Sequence, residues 1–182
     1  MKFRAFIYLF ILFLFSLTLF NGEVLAQNNG VRISPKAMVK QKVGFTDVTI
    51  DFSRPGVKER KIWGGLVPYN NVWRAGANEA TTVTFSDDVK VNGNSMKAGR
   101  YGFFAIPTKD KWVLIFNKVA DQWGAFEYNE AEDILRIEVT PEEGYFQEWM
   151  VYTVTKTSKT AAIVKLEWEK LKVPFEIEVS VD

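Results

Sequence analysis

The 182-residue chain contains no cysteine and no histidine. The first absence removes disulfides, thiolate nucleophiles, thiolate metal sites and a lipid-anchored cysteine. The second removes Ser-His-Asp and Cys-His catalysis, together with any zinc site that needs a nitrogen ligand. Chemistry would have to come from carboxylates, hydroxyls, Lys, Arg or Tyr. Nucleotide-binding loops are missing as well, with no Gly-x-x-x-x-Gly-Lys-[Ser/Thr] and no Gly-x-Gly-x-x-Gly opening a helix, so no cofactor is expected. Charge of one sign is also lacking, with 23 Lys+Arg against 22 Asp+Glu. Such balance offers no field for a phosphate backbone, and nucleic acid is not an expected partner.

The one long hydrophobic run stands at the start. Met1-Lys2-Phe3-Arg4 is basic, Ala5 to Phe20 is almost unbroken apolar, and Val24-Leu25-Ala26 suits a signal peptidase. This predicts a signal peptide over 1–26, cleavage between Ala26 and Gln27, and export to the periplasm or the exterior. The competing reading, an uncleaved anchor, needs about 20 apolar residues, and the run is shorter than that. The mature form is therefore expected not to be embedded in a membrane. Residues 27–33 read as a flexible polar leader, and 34–182 as one domain with a sizeable core.

Loss of 1–26 takes Lys2, Arg4 and Glu23 with it, which leaves a formally neutral mature chain. The neutrality conceals an asymmetry. Arg54, Lys58, Arg60, Lys61 and Arg74 outnumber Glu59 and Glu79 in one segment, whereas Arg136 is the only base between Asp121 and Glu148.

Period-two alternation dominates the mature chain. Val48, Ile50 and Phe52 alternate with polar neighbours and can pair with Met38 to Val43 across Gly44. Asn92-Gly93, between Val89-Lys90-Val91 and Asn94-Ser95-Met96, is a strong hairpin signal because both residues tolerate positive φ. Trp112 to Phe116 is apolar on both faces and should be covered on both. Ala162 to Trp168 and Val173 to Val181 alternate around a polar break at Lys170, which suggests a hairpin. Pro174 suggests an edge or a strand start. Helical periodicity is scarce, and Ala125 to Asp133 is its best candidate. About ten strands with turn signals between them predict an all-β antiparallel sandwich, with a barrel as the alternative.

One segment does not fit that pattern. Arg54 to Asn78 alternates little and is rich in Gly, Arg and Trp, and connections this long tend to be functional or to fold over something. Arg54, Arg60 and Arg74 suit an anion, since a guanidinium fork matches carboxylate or phosphate. Trp63, Trp73 and Trp123 offer faces that cover the apolar face of a sugar, and Asn78 and Glu79 are placed to orient the loop or its ligand. These eight residues are the candidate site, with an anionic or sugar ligand as the expected partner. The same residues also read as structure: the aromatics plugging one end of the sandwich, Arg74 paired with Glu79, and the polar groups fixing the loop. No metal is expected, because the acidic run Glu127, Glu130, Glu132 and Asp133 lacks the spaced Asp/Asn-Gly pattern of a calcium loop.

Several segments together carry a family resemblance. Phe52 to Lys58, Arg60 to Tyr69, Val72 to Thr81, Ala98 to Gly102, Gln122 to Ala125 and Leu166 to Glu169 resemble, in order and spacing, the signature segments of an exported bacterial family catalogued as domain of unknown function 2911. The resemblance runs from about Ser34 to about Val179 and implies no particular activity. Two functional readings follow from the residues. One is a non-enzymatic ligand-binding or structural envelope module with an Arg/Trp-lined loop pocket. The other is a glycan or peptidoglycan hydrolase using Glu79 with Glu148 or Asp121, which requires two carboxylates facing one cleft and one of them with a raised pKa.

Overall fold

Alternating side chains become ten strands in the computed structural model, which describes residues 30–180. In chain order these are β1 (Lys36–Val43), β2 (Thr46–Ser53), β3 (Thr81–Phe85), β4 (Val89–Val91), β5 (Asn94–Met96), β6 (Gly99–Pro107), β7 (Trp112–Asn117), β8 (Asp133–Val139), β9 (Glu142–Lys156) and β10 (Ala161–Val179). One sheet has the order β1-β2-β3-β6-β7-β8 and the other β5-β4-β10-β9. All pairings are antiparallel, and the sheets stay open, so the fold is a sandwich and not a barrel. All of these strands lie within the unit Arg32–Asp182. The predicted signal peptide, 1–26, lies outside the described residues. Among those described, no helix is long and apolar enough to cross a membrane.

The core is what the alternation implies. Val48, Ile50 and Phe52 from β2, Val83 and Phe85 from β3, and Trp112, Leu114 and Phe116 from β7 meet Met150 and Tyr152 from β9 and Val164, Leu166, Trp168, Phe175 and Ile177 from β10. A smaller cluster on the outer face of the six-stranded sheet joins Phe104 and Ile115 to Ala80, Val72, Ala125 and Tyr128. β7 is therefore covered on both faces, as its composition predicts. The Asn92-Gly93 hairpin forms with φ of 46° and 77°, the positive pair that a two-residue turn of matching twist requires.

Three local expectations are corrected. No hairpin forms at Lys170: β10 is continuous, and two register irregularities against β9 around Glu169, itself at φ 55°, absorb the polar break. A bulge bends and twists a strand without reversing it. Pro174 marks neither an outer strand nor a strand start. It stands where β10 has left β9 at Lys172–Glu142 and has not yet joined β4 at Ile177–Val91, so its missing N–H interrupts no registered pair. Ala125–Asp133 yields only a 3-10 turn at Glu130–Glu132, capped by the Asn129 side chain. There Asp133 accepts from Asn117 Nδ2 (2.7 Å), Tyr128 Oη (2.5 Å) and Arg136 Nε (2.7 Å), so it belongs to a local network. Burial, reinforced by Asp133, pushes the Tyr128 hydroxyl up to about 12.

The irregular segment 54–80 joins β2 to β3 and is pinned to both sheets. Val57 N donates to Glu148 O and Met150 N to Pro55 O, tying it to β9 (2.8 and 3.0 Å). Trp73 and Ala105 exchange two 2.8 Å bonds, so the loop takes the place beside β6 that β3 does not reach. Lys58, Glu59, Asn70, Ala75 and Asn78 all have positive φ. For alanine this conformation costs about 1–2 kcal/mol and persists where the surroundings over-determine it.

Candidate ligand-binding site

Trp63 and Trp73 turn inward. Trp63 meets Trp112 edge-on at 4.8 Å, Trp168 at 5.6 Å and Trp73 at 5.8 Å, while Trp73 stacks on Trp168 at 5.9 Å. The four indoles join the loop to β7 and β10, and aromatic pairs of this geometry add to the area they bury. Trp63 thus packs as core, in the manner of the plug. Trp73 does the same while one part of it, with Trp168, borders a cavity. Its Nε1 donates to Gly76 O (3.1 Å) and closes the turn that carries Arg74 and Ala75.

That cavity, of about 490 Å³, is enclosed by the loop and by residues 33–34. Lys58, Arg60 and Arg74 line it, with Asn71, Asn78 and Ser34, and among the described residues no Asp or Glu does. Arg60 is set by its own loop, donating through Nε to Val57 O (3.1 Å) and through Nη2 to Gly56 O (2.6 Å). Lys58 Nζ lies 5.7 Å from the centre of a Trp149 ring. Asn78 is held by a bond from its Nδ2 to Ser34 O (3.2 Å). Arg54, although predicted here, does not line the cavity: its Nε donates to Met150 O (2.9 Å), which fastens the loop to β9.

Arg74 is the unusual member. Its side chain is half-buried, its Nε is buried without a hydrogen-bond partner, and desolvation holds its pKa below the ordinary arginine value. Among the described residues no carboxylate pairs with it. The Arg74–Glu79 pair expected on structural grounds does not form, because Glu79 takes Arg32 instead, at 2.8 Å. A guanidinium stays charged in a protein, so a half-buried one without a counter-ion attracts an anion into the space beside it.

Glu79 and Trp123 belong to a second cavity of about 300 Å³ on the outer face of the six-stranded sheet, lined also by Asp51, Thr82, Arg100, Asp121 and Gln122. Of the two carboxylate pairs proposed for hydrolysis, Glu79 and Asp121 share this cavity. Glu148 is elsewhere, accepting from Lys58 N (3.0 Å) and bordering a third concavity. The hydrogen bond from Arg32 holds the Glu79 carboxyl below the usual range, the direction opposite to that of a general acid. Asp121 is bound by both oxygens to Arg100 Nη1 (2.8 Å each). Lys58, Thr82, Asp51 and Arg100 were not among the predicted site residues. Lys58 was legible in the basic segment, whereas Thr82 and Asp51 reach their cavity through strand pairing that no short-range pattern encodes.

Fold and cavity together define a class, an open antiparallel β-sandwich with a cationic pocket made by one long inter-strand loop. The model of the family described as Protein of unknown function (DUF2911) matches residues 34–177, and the chain belongs to that family. Among curated proteins and solved structures, nothing matches the chain.

Proposed function

We propose that the chain is an exported, non-enzymatic binding module whose loop pocket takes an anionic ligand bearing a carboxylate or phosphate group. The observation that carries this reading is the half-buried Arg74 guanidinium, without an acidic partner, in a cavity where Lys58 and Arg60 add charge of the same sign. Isolated, these cations repel one another in a region poorer in water than the surface. An anion removes the repulsion and supplies the missing acceptors, and a planar fork meets carboxylate or phosphate through two parallel bonds. Export is supported by the basic start, apolar run and cleavage-like site of residues 1–26.

Thermal shift with inorganic phosphate and citrate, each against sodium chloride at matched ionic strength, tests the reading. A ligand that binds only the folded state stabilises it by RT ln(1 + [L]/Kd), about 2.7 kcal/mol at a hundred times Kd. One of the two anions is expected to raise the midpoint. Arg74→Met, which keeps the stem and removes the charge, is expected to lose that shift with its own midpoint no lower than that of the native protein. No shift with either anion, or an equal shift in Arg74→Met, would sink the proposal.

A further inference from the structure

We propose that the outer face of the six-stranded sheet holds a second binding site, independent of the anion pocket, shaped for one ring of a neutral sugar, with Trp123 as its platform and Thr82 and Gln122 beneath. The backbone builds the groove. Asp51, Thr82 and Gly102 stand opposite one another on β2, β3 and β6 and share a face. Gly102 leaves that face bare, so the irregular segment that follows β7 crosses directly over it: a Cβ there would lie 2.6 Å from Val119 O. The crossing chain becomes the wall of the cavity, and Ala120 to Trp123 line it.

Trp123 is 60 % exposed, yet its backbone is fixed on both sides. Ala80 N donates to Gln122 O (2.9 Å) and Gly124 N to Asn78 O (3.0 Å), with Gly124 turning at φ 71°. A backbone held this way is pre-organised, so a ligand has only the two side-chain torsions of the indole left to order. The face of an indole suits the C–H face of a pyranose.

The floor supplies the polar half. Thr82 is 3 % exposed and Gln122 6 % exposed, and both line the cavity. Gln122 Nε2 donates to Val119 O (2.7 Å), while Gln122 Oε1 and the Thr82 hydroxyl are buried with no partner among the described residues. Buried polar atoms are almost always satisfied, and these two are satisfied when a ligand hydroxyl reaches them. Each sugar hydroxyl both donates and accepts, which matches an amide oxygen, a hydroxyl and the Asp51 carboxylate together. The charges point the same way. Glu79 is answered by Arg32, Asp121 by Arg100, and Lys36 stands in the same lining as Asp51, so the groove carries no net charge to recruit an ion. Its volume is at the lower end of the roughly 300–1,000 Å³ typical of small-molecule sites, which fits a single ring.

Titration of the purified protein with cellotetraose, chitotetraose, maltotetraose and mannotetraose, followed through the six tryptophan indole N–H signals by NMR, tests the site. One of these sugars is expected to shift the Trp123 signal saturably. Trp123→Ala should abolish binding, and Thr82→Val should weaken it about tenfold without lowering the melting temperature, because the hydroxyl has no partner in the fold. Arg74→Met should leave it unchanged, which separates this site from the anion pocket. Failure of all four sugars to move the Trp123 signal up to their solubility limits would overturn the proposal, as would full affinity in Trp123→Ala or in a Thr82→Val protein that is destabilised.

Discussion

The Tyr152 hydroxyl on β9 donates a 2.9 Å hydrogen bond to the carbonyl oxygen of Ala75, a fully buried residue that the long loop holds at φ 49°. Thr81 Oγ1 donates to the same oxygen, also at 2.9 Å. The turn beside Arg74 is thus clamped from the opposite sheet and from its own exit strand. Burial raises the Tyr152 pKa, so the phenol remains a donor across the physiological range. Tyr152→Phe removes one of two donors and leaves the ring in place, and a loss of about 1–1.5 kcal/mol by denaturant unfolding is expected. The same variant should weaken anion binding by loosening Arg74.

The tryptophans divide by role. Trp63 makes three edge-on contacts with other indoles, and Trp63→Ala is expected to cost about 3–5 kcal/mol, the range for emptying a large aromatic site. Trp123→Ala should stay within about 0.5 kcal/mol of the native protein, as exposed positions do. Chemical denaturation of the two variants side by side reads the difference.

Gly102→Ala brings a methyl group against Val119 O. Neither the sheet backbone nor the crossing chain can yield without breaking the bonds that fix it, and overpacking of this kind costs about 1–3 kcal/mol. The displaced chain carries Gln122 and Trp123, so the Trp123 indole signal should move as well.

The pair Arg32–Glu79 gives a pH dependence of known sign. The Glu79 carboxyl sits below its ordinary value in the folded state because Arg32 hydrogen-bonds its charged form. Its contribution is therefore complete above that value and disappears as the pH falls through the lowered folded value. Both side chains are substantially exposed, which keeps the effect small and sensitive to salt. Unfolding midpoints of native and Arg32→Gln proteins should differ at neutral pH in low salt and converge in acid.

How much of this was legible in advance depended on range. Val48-Ile50-Phe52 and Trp112 to Phe116 reveal their strands because period-two burial is local, and Asn92-Gly93 reveals its turn because two adjacent φ angles decide it. Glu169-Lys170 misleads for the same reason: a bulge and a turn show the same polar interruption, and only the partner strand tells them apart. Among the arginines, composition marks the cationic segment but cannot tell Arg54, whose Nε is engaged by Met150 O, from Arg74, whose Nε has no partner among the described residues. Glu79 found Arg32 across 47 positions, a choice made by the path of the chain and not by proximity in sequence.

β10 is the one strand that both halves of the four-stranded sheet touch, pairing with β9 through its first part and with β4 through its last. It is also the last of the described strands in chain order. During synthesis, all six strands of the larger sheet exist once Val139 has been added, yet the apolar face they present lacks most of its cover until β9 and the 19-residue β10 follow. A nascent chain that pairs early therefore carries a sticky surface for the interval in which residues 140–179 are still being translated, and a truncation near Pro174 leaves the β4–β5 hairpin with nothing to join.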